Sequence, residues 1–402
     1  MRRWIDWRSE VAILPTFISG ANRGGLVQET NSGALIFATA HDGVPRLHRS
    51  NDGGATWSLR QTMDVARTGV VVKGAFVDSR GHIYMGAGTT DCLWSNYASN
   101  ESGRIWRGEL WKSSDDGVTW RKVCTGEAGT FWHLGEDADG RIYVNEYSQL
   151  KTAGANGPTW PGDYGTIPDE YPAVNIWRST ADGETFSKWY SAPKPTGAGL
   201  RDGTRHIHAV YVDPADPAKR VYVAAGDYSG TDANLRWSGI AGKVVQLNAA
   251  AAIALDYGQF GNGSTSFIGG GPGGTVLVGK DNNPSGLDAI NPLVATSCQQ
   301  CDLRQQFGTK FDGYVFDLFR SAEGVIFGNV TLSGRYPSIL FSLNDGRTWG
   351  ALDYGTAQGN TLTHNPNAPS GRMFMSGGSI QSIKVPSRVE LGWKRPFYSP
   401  MV

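Results

Sequence analysis

Apolar and polar positions alternate with a period of two along short runs of this chain, and the runs come in pairs. LVQET is followed by ALIFATA from Gly25, VKGAFVD by HIYMGAG from Val72, and TFWHLGED by RIYVNEY from Thr130. The pattern continues with RHIHAVYVD and RVYVAAGD from Arg205, TSFIGGG and TVLVGKD within 264–290, and YVFDLFR and VIFGNVT from Tyr314. Period-two runs bounded by Gly, Asp and Asn are strands joined by hairpins. A third apolar run follows in several units, such as Glu109-Leu110-Trp111-Lys112 and Ile176-Trp177-Arg178. It leads into an octet that the chain writes four times: Ser50–Trp57, Ser113–Trp120, Ser179–Phe186 and Ser342–Trp349. The octets fit Ser-x-Asp/Asn-x-Gly-x-Thr-Trp/Phe, except that Ala181 takes the acidic slot of the third and Asp182 stands one place on. Asp and Gly make the turn, the hydroxyls bond local backbone, and the aromatic pins the turn to a sheet.

A fixed order of strand, turn, strand, loop, strand, octet and strand is a repeat architecture. The expected fold is an all-β propeller of four-stranded antiparallel blades, seven in number, with six as the alternative. Two blades between the third and fourth octets lack one, and the blade-four octet is expected to have decayed around Trp237-Ser238-Gly239. A last pair of runs, Asn360–Thr363 and Arg372–Ser376, needs a further strand. Val11–Leu14 is expected to supply it and close the ring, making residues 1–402 one domain.

Composition narrows the functional classes. The 402 residues include 54 Gly and 14 Trp, and the formal net charge is zero. A neutral chain without basic runs argues against nucleic acid. No run approaches a membrane-crossing helix. Residues 1–14 do not read as a secretory leader, which leaves cytoplasmic, virion-associated or leader-removed locations open. Cys92, Cys124, Cys298 and Cys301 do not make a disulfide framework, and Cys298-x-x-Cys301 is half of a zinc or redox motif without its second half.

Candidate chemistry lies at strand ends opposite the octet turns, where long insertions also fall. First strands offer Lys73, Trp132, His133, Arg205, His206 and His208. Second strands end in Glu146-Tyr147, Asp227-Tyr228 and Lys280-Asp281, while Arg201 and Trp94 sit in loops of the same side. Period-two alternation turns His206 and His208 to one side of their strand. They are read as a base or, with less chemical reason, as ligands of a divalent cation; no cofactor is required. Tyr147 and Tyr228 are candidate acids, and Glu146 and Asp227 a candidate carboxylate pair. Arg201, Arg205, Lys73, Lys280, Asp281, Trp132 and Trp94 are candidate substrate contacts. His48, His82 and His364 read as surface residues.

The octet resembles the Asp-box of the sialidase-type β-propellers, and four copies carry that resemblance over most of the chain. The family implies a propeller and a glycan ligand. The Arg-Ile-Pro segment of true sialidases is missing here. The residue types are more similar to those of seven-bladed polysaccharide lyases, where His and Tyr serve as base and acid and a cation neutralises a uronate carboxylate. The resemblance therefore implies β-elimination on an acidic poly- or oligosaccharide. Its alternatives are a sialidase-type hydrolase and a non-catalytic glycan-binding propeller.

Overall fold

The structure is a computed structural model. It describes residues 4–6, 9, 11–14, 25–39, 44–63, 70–89, 91–93, 107–147, 149–154, 157–159, 173–193, 204, 206–214, 216–229, 240–259, 264–271, 274–280, 286–295, 297–298, 313–332, 338–353, 359–377 and 380–393. Each pair of apolar runs forms the first two strands of an antiparallel sheet. Seven such four-stranded blades make an all-β propeller. Among the described residues the one helix longer than a turn is Arg388–Trp393, and no helix is long and apolar enough to cross a membrane.

In chain order the blades begin with Leu26–Glu29, Leu35–Thr39, Arg46–Ser50 and Ser58–Thr62. Blade two is Val70–Val77, Ile83–Thr89, Glu109–Ser113 and Arg121–Thr125. Blade three is Thr130–Glu136, Ile142–Tyr147, Asn175–Ser179 and Phe186–Ser191. Blade four is His206–Val212, Val221–Ser229, Ile240–Leu247 and Ile253–Gln259. Blade five is Ser264–Ile268, Val276–Lys280, Leu287–Ile290 and Ser297–Cys298. Blade six is Gly313–Arg320, Ile326–Leu332, Ser338–Ser342 and Gly350–Asp353. Blade seven is Gly359–His364, Arg372–Gly377 and Ile380–Lys384, with Val11–Ile13 antiparallel on the last as its fourth strand.

Contacts divide the chain into two compact units: Met1–Leu35, Ser50–Trp57 and Thr265–Val402 in one, and Ile36–Arg49 and Ser58–Ser264 in the other. The first unit's core gathers Phe327, Ile339, Phe341, Leu352, Met373, Met375 and Ile383, closed by Leu391 of the helix. The second unit is built around Tyr143, Ile176, Ile207, Val210, Val223 and Val245.

The octet turns are made by side chains as much as by backbone. In the second, Ser113 Oγ lies 2.8 Å from Asp115 Oδ1 and accepts from Gly117 N at 2.8 Å. Asp115 also accepts from Thr119 N at 2.9 Å and Thr119 Oγ1 at 2.6 Å, and Trp120 Nε1 donates to Gly117 O at 3.1 Å. The first and fourth octets repeat this pattern around Asp52 and Asn344. The third is shifted by the residue its sequence displaced: Thr180 and Asp182 take the Ser and Asp roles.

These turns dock each blade on the one before. A Cβ on Gly117 would overlap Ile36 Cδ1, and one on Gly183 would overlap the Tyr84 hydroxyl. Charged links reinforce the same joints: Arg49 with Asp116, and the buried Lys112 with Glu184, both at 2.5 Å. Burial and then the nearby Arg80 hold the Lys112 ammonium down at about 8.

Blade four departs from the expected position of its turn. The reversal lies at Asn248–Ala252, not at Trp237-Ser238-Gly239, with Asn248 Oδ1 accepting from Ala250 N and Ala252 N. Asn248 replaces the Ser/Asp pair with one side chain, so the octet pattern is invisible there. Blade five does the same with Asn291, whose Oδ1 accepts from Leu293 N at 2.8 Å.

Candidate functional site

The register between first and second strands slips at one place in five blades. It shifts between Val72 and Gly74, Phe131 and Leu134, Ile207 and Ala209, Val315 and Asp317, and Gly359 and Thr361. A bulge leaves its residue out of the ladder and re-aims the side chain. In the Ile36–Ser264 part of the chain the residues in the slips are Lys73, Trp132, His133 and His208. These are the polar and aromatic groups singled out from sequence, and the bulge is what they have in common.

The slips bring three consecutive blades together. Lys73 Nζ lies 5.3 Å from the centroid of the Trp132 ring, within cation–π range. Trp132 meets Tyr147 edge-on at 4.2 Å and His133 in a stacked arrangement at 5.9 Å. Tyr147 in turn packs 4.4 Å from His206 and 5.9 Å from His208, and Trp132 lies 6.5 Å from His208. The two imidazoles face each other, Nε2 to Nε2 at 2.8 Å. One ring nitrogen donates and the other accepts across this contact. His206 is wholly buried, and Gly226 lies so close that a Cβ there would strike the His208 ring.

Lys73, Trp132 and His133 are partly open to solvent, whereas Tyr147, His206 and His208 form the buried floor behind them. Burial, and secondarily the neighbouring His208, hold the His133 imidazole down at about 4. It is therefore neutral, an acceptor or donor but not a cation, at physiological pH. Lys73 brings a positive charge to the cluster, over the Trp132 ring.

Glu146 does not belong to this cluster. It is next to Tyr147, but strand alternation turns it the other way. Its carboxylate accepts from Glu127 N, Ala128 N, Trp177 Nε1, Asn175 N and Asn175 Nδ2, at 2.5 to 3.3 Å. Burial pushes it up to about 7, against the pull of those donors, led by Glu127 N. Five donors on two oxygens make it a clasp between strands. The carboxylate expected from sequence to pair with Asp227 is thus engaged within its own blade.

Lys280 is placed in the Thr265–Val402 unit, buried and ion-paired with Asp288 at 2.5 Å. The backbone of Asp227 and Tyr228 continues the Val221–Ser229 strand, but their side chains lie outside the described residues. Arg201, Arg205, Trp94 and Asp281 also lie outside them. Of the three histidines read as surface residues, His48 is buried, His82 is partly exposed and contacts the buried Asp78 at 3.1 Å, and His364 is partly covered, with burial holding its imidazole down at about 4. Among the described residues no group of three or more His, Cys, Asp or Glu is placed to hold a metal ion.

Sequence reading missed Asn145, which is wholly buried. Its Oδ1 accepts from His133 N at 3.0 Å and its Nδ2 donates to Ile207 O at 2.6 Å. It also missed a small sheet that follows the site strands directly: Asp91–Leu93 parallel to Gln149–Gly154, with Gly157–Thr159 antiparallel on the far side. Both were hidden because polar residues in a strand and short runs in an insertion carry no periodic signal.

No protein-family model matches the chain, and no curated protein matches it. Among solved structures the chain is similar to that of YCF48 bound to D1 peptide, at 11% identity and a TM-score of 0.48, covering 94% of this chain and 99% of that one. It is also similar to the X-ray structure of a protein provisionally named a gluconolactonase, at 14% identity and a TM-score of 0.44, covering 93% of this chain and 91% of that one. The gluconolactonase name concerns an enzyme, and it divides neither lyase from hydrolase nor catalyst from binder for this chain. The resemblance to sialidase-type proteins holds as far as the seven-bladed propeller and not as family membership.

Cleavage of an acidic polysaccharide, together with its sialidase-type and glycan-binding alternatives, is corrected accordingly. Neither similar structure is a polysaccharide lyase or a sialidase. In this chain His206, one of the expected bases, is sealed from solvent, and Glu146, of the expected carboxylate pair, is saturated with donors.

Proposed function

We propose that the Lys73–Trp132–His133 cluster binds a small molecule through an anionic group, a carboxylate or a phosphate. The observation that supports it is the shared bulge. Blades two, three and four each give up ladder pairing at the same level, and the side chains so released are Lys73, Trp132 with His133, and His208. Lost ladder bonds cost stability, and in these three consecutive blades the slips present charged, aromatic and imidazole side chains that meet one another. The chemistry follows from the groups. Lys73 supplies charge, His133 a neutral hydrogen-bonding edge, and Tyr147 with the His206–His208 pair a rigid floor.

Isothermal titration with inorganic phosphate, small mono- and dicarboxylates and phosphate esters tests the reading. At least one of these is expected to bind wild type, and Lys73→Met to weaken it about tenfold or more, the worth of one charge-assisted hydrogen bond. Trp132→Leu, which removes the ring under Lys73, is expected to weaken the same ligand. Binding that neither substitution changes, or no binding across the panel, overturns the reading.

A further inference from the structure

We propose that Asn145 is the positioning residue of this cluster, tying the bulge that presents Trp132 and His133 to the strand that carries His206 and His208. The inference rests on the site reading above but is carried by its own geometry. A bulge strips backbone groups of their ladder partners, and a buried orphan N–H or C=O costs on the order of 1–3 kcal/mol. His133 N is such a group in blade three, and Ile207 O stands at the slip in blade four. One side-chain amide serves both, accepting from the first at 3.0 Å and donating to the second at 2.6 Å.

Chemistry restricts the choice of side chain. The position needs an acceptor and a donor at fixed separation on a short stem, in a place with no solvent access. A carboxylate lacks the donor, a hydroxyl lacks the span, and an apolar residue leaves both backbone groups bare. The two groups held are next to site side chains: His133 carries its own imidazole, and Ile207 stands between His206 and His208. The amide therefore sets how far the solvent-facing part of the cluster stands from its buried floor.

The role is specific to this blade. Asn329 takes the corresponding place in blade six, across the slip and paired with Asp317, and is equally buried. Among the described residues neither its Oδ1 nor its Nδ2 meets a hydrogen-bond partner. In blade four the residues facing the slip are Ala224 and Ala225, which have no amide to offer. An asparagine at this level is thus not a general feature of the blades, and among these described residues Asn145, beside the histidine cluster, is the one that spans two of them.

The test reads the histidine rings by NMR and needs no ligand, so it can fail while anion binding stands, or succeed while anion binding fails. In Asn145→Ala the His133 titration midpoint is expected to rise by about one pH unit or more toward the ordinary imidazole value as the ring loses its enclosure. The 15N–15N coupling across the His206–His208 hydrogen bond is expected to weaken. Asn145→Gln, which keeps both functional groups on a longer stem, should restore part of each signal. Glu146→Gln serves as the control: its clasp lies on the other side of the strand, so it should lower Tm and leave the ring signals in place. If Asn145→Ala does not fold, the displacement is read in Asn145→Gln. A folded Asn145→Ala whose His133 midpoint and His206–His208 coupling match wild type overturns the proposal, as does, where the alanine variant does not fold, an Asn145→Gln that matches wild type in both.

Discussion

At the scale of single residues, the same blade carries two titratable groups whose burial acts with opposite sign. His133 is held down at about 4 by burial and by His208, so between that value and the ordinary imidazole value the unfolded chain binds more protons than the folded one. Stability attributable to it is complete above the ordinary value and is lost as pH falls toward 4. His364, also held at about 4 by burial, adds in the same direction. Glu146 is raised to about 7, so the folded state holds its proton longer, and its contribution is lost as pH rises from the ordinary carboxylate range to 7. His133→Gln isolates one of these. Between pH 6.5 and 4 wild type should lose on the order of 1–2 kcal/mol relative to the variant, after discounting for the partial exposure of the ring. Urea unfolding at several pH values measures it, and parallel stability curves for the two proteins would refute the assignment.

At the scale of elements, the octet turns show which parts of a sequence pattern report structure. Ser, Asp, Gly, Thr and Trp each have a bond or a contact in the turn, so their spacing could be read directly and the turns located to the residue. Gly117 is held from two directions. It combines a φ of 80° with a neighbour, Ile36 Cδ1, occupying the space of a side chain. Gly53 has a φ of 68° and nothing within 4 Å. Gly53→Ala should therefore cost about 1 kcal/mol from backbone conformation alone, and Gly117→Ala that amount plus about 1–3 kcal/mol of overpacking. Thermal unfolding of the pair separates the two terms, and equal losses would show that the turn does not dock on the preceding blade.

The same logic explains what the sequence hid. In blades four and five Asn248 and Asn291 each replace several octet residues with one, and a lone Asn in a loop carries no signal. The candidate site was legible in residue type, because Lys, His and Trp on inner strands are costly without a purpose. It was illegible in detail. The bulges and the role of Asn145 depend on which backbone groups lose their partners, and one chain read alone does not register that.

At the scale of the molecule, the order of the strands ties distant parts of the chain together. Val11–Ile13 pairs antiparallel with Ile380–Lys384, and Trp4–Asp6 pairs parallel with Gly350–Asp353. The second pairing was not anticipated, since three residues give no periodicity to read. Leu14 extends the attachment: it is buried and would contact a Cβ placed on Gly54, 3.2 Å from its Cδ2. Blade seven thus has its fourth strand from a segment over 360 residues away in sequence, a closure whose chain-entropy cost grows only slowly with length. Removing residues 1–14 exposes the Ile380–Lys384 edge, whose N–H and C=O groups then lack a partner strand. Amide hydrogen exchange should report the consequence where it falls. Protection should drop in the 338–353 and 372–384 strands, while the strands of blades three and four, with a core of their own around Ile176, Ile207 and Val223, keep theirs. Uniform loss of protection through blades three and four would mean that the two units do not hold their stability separately. Unchanged exchange in blade seven would mean that the N-terminal strand is an ornament on a blade already complete with three.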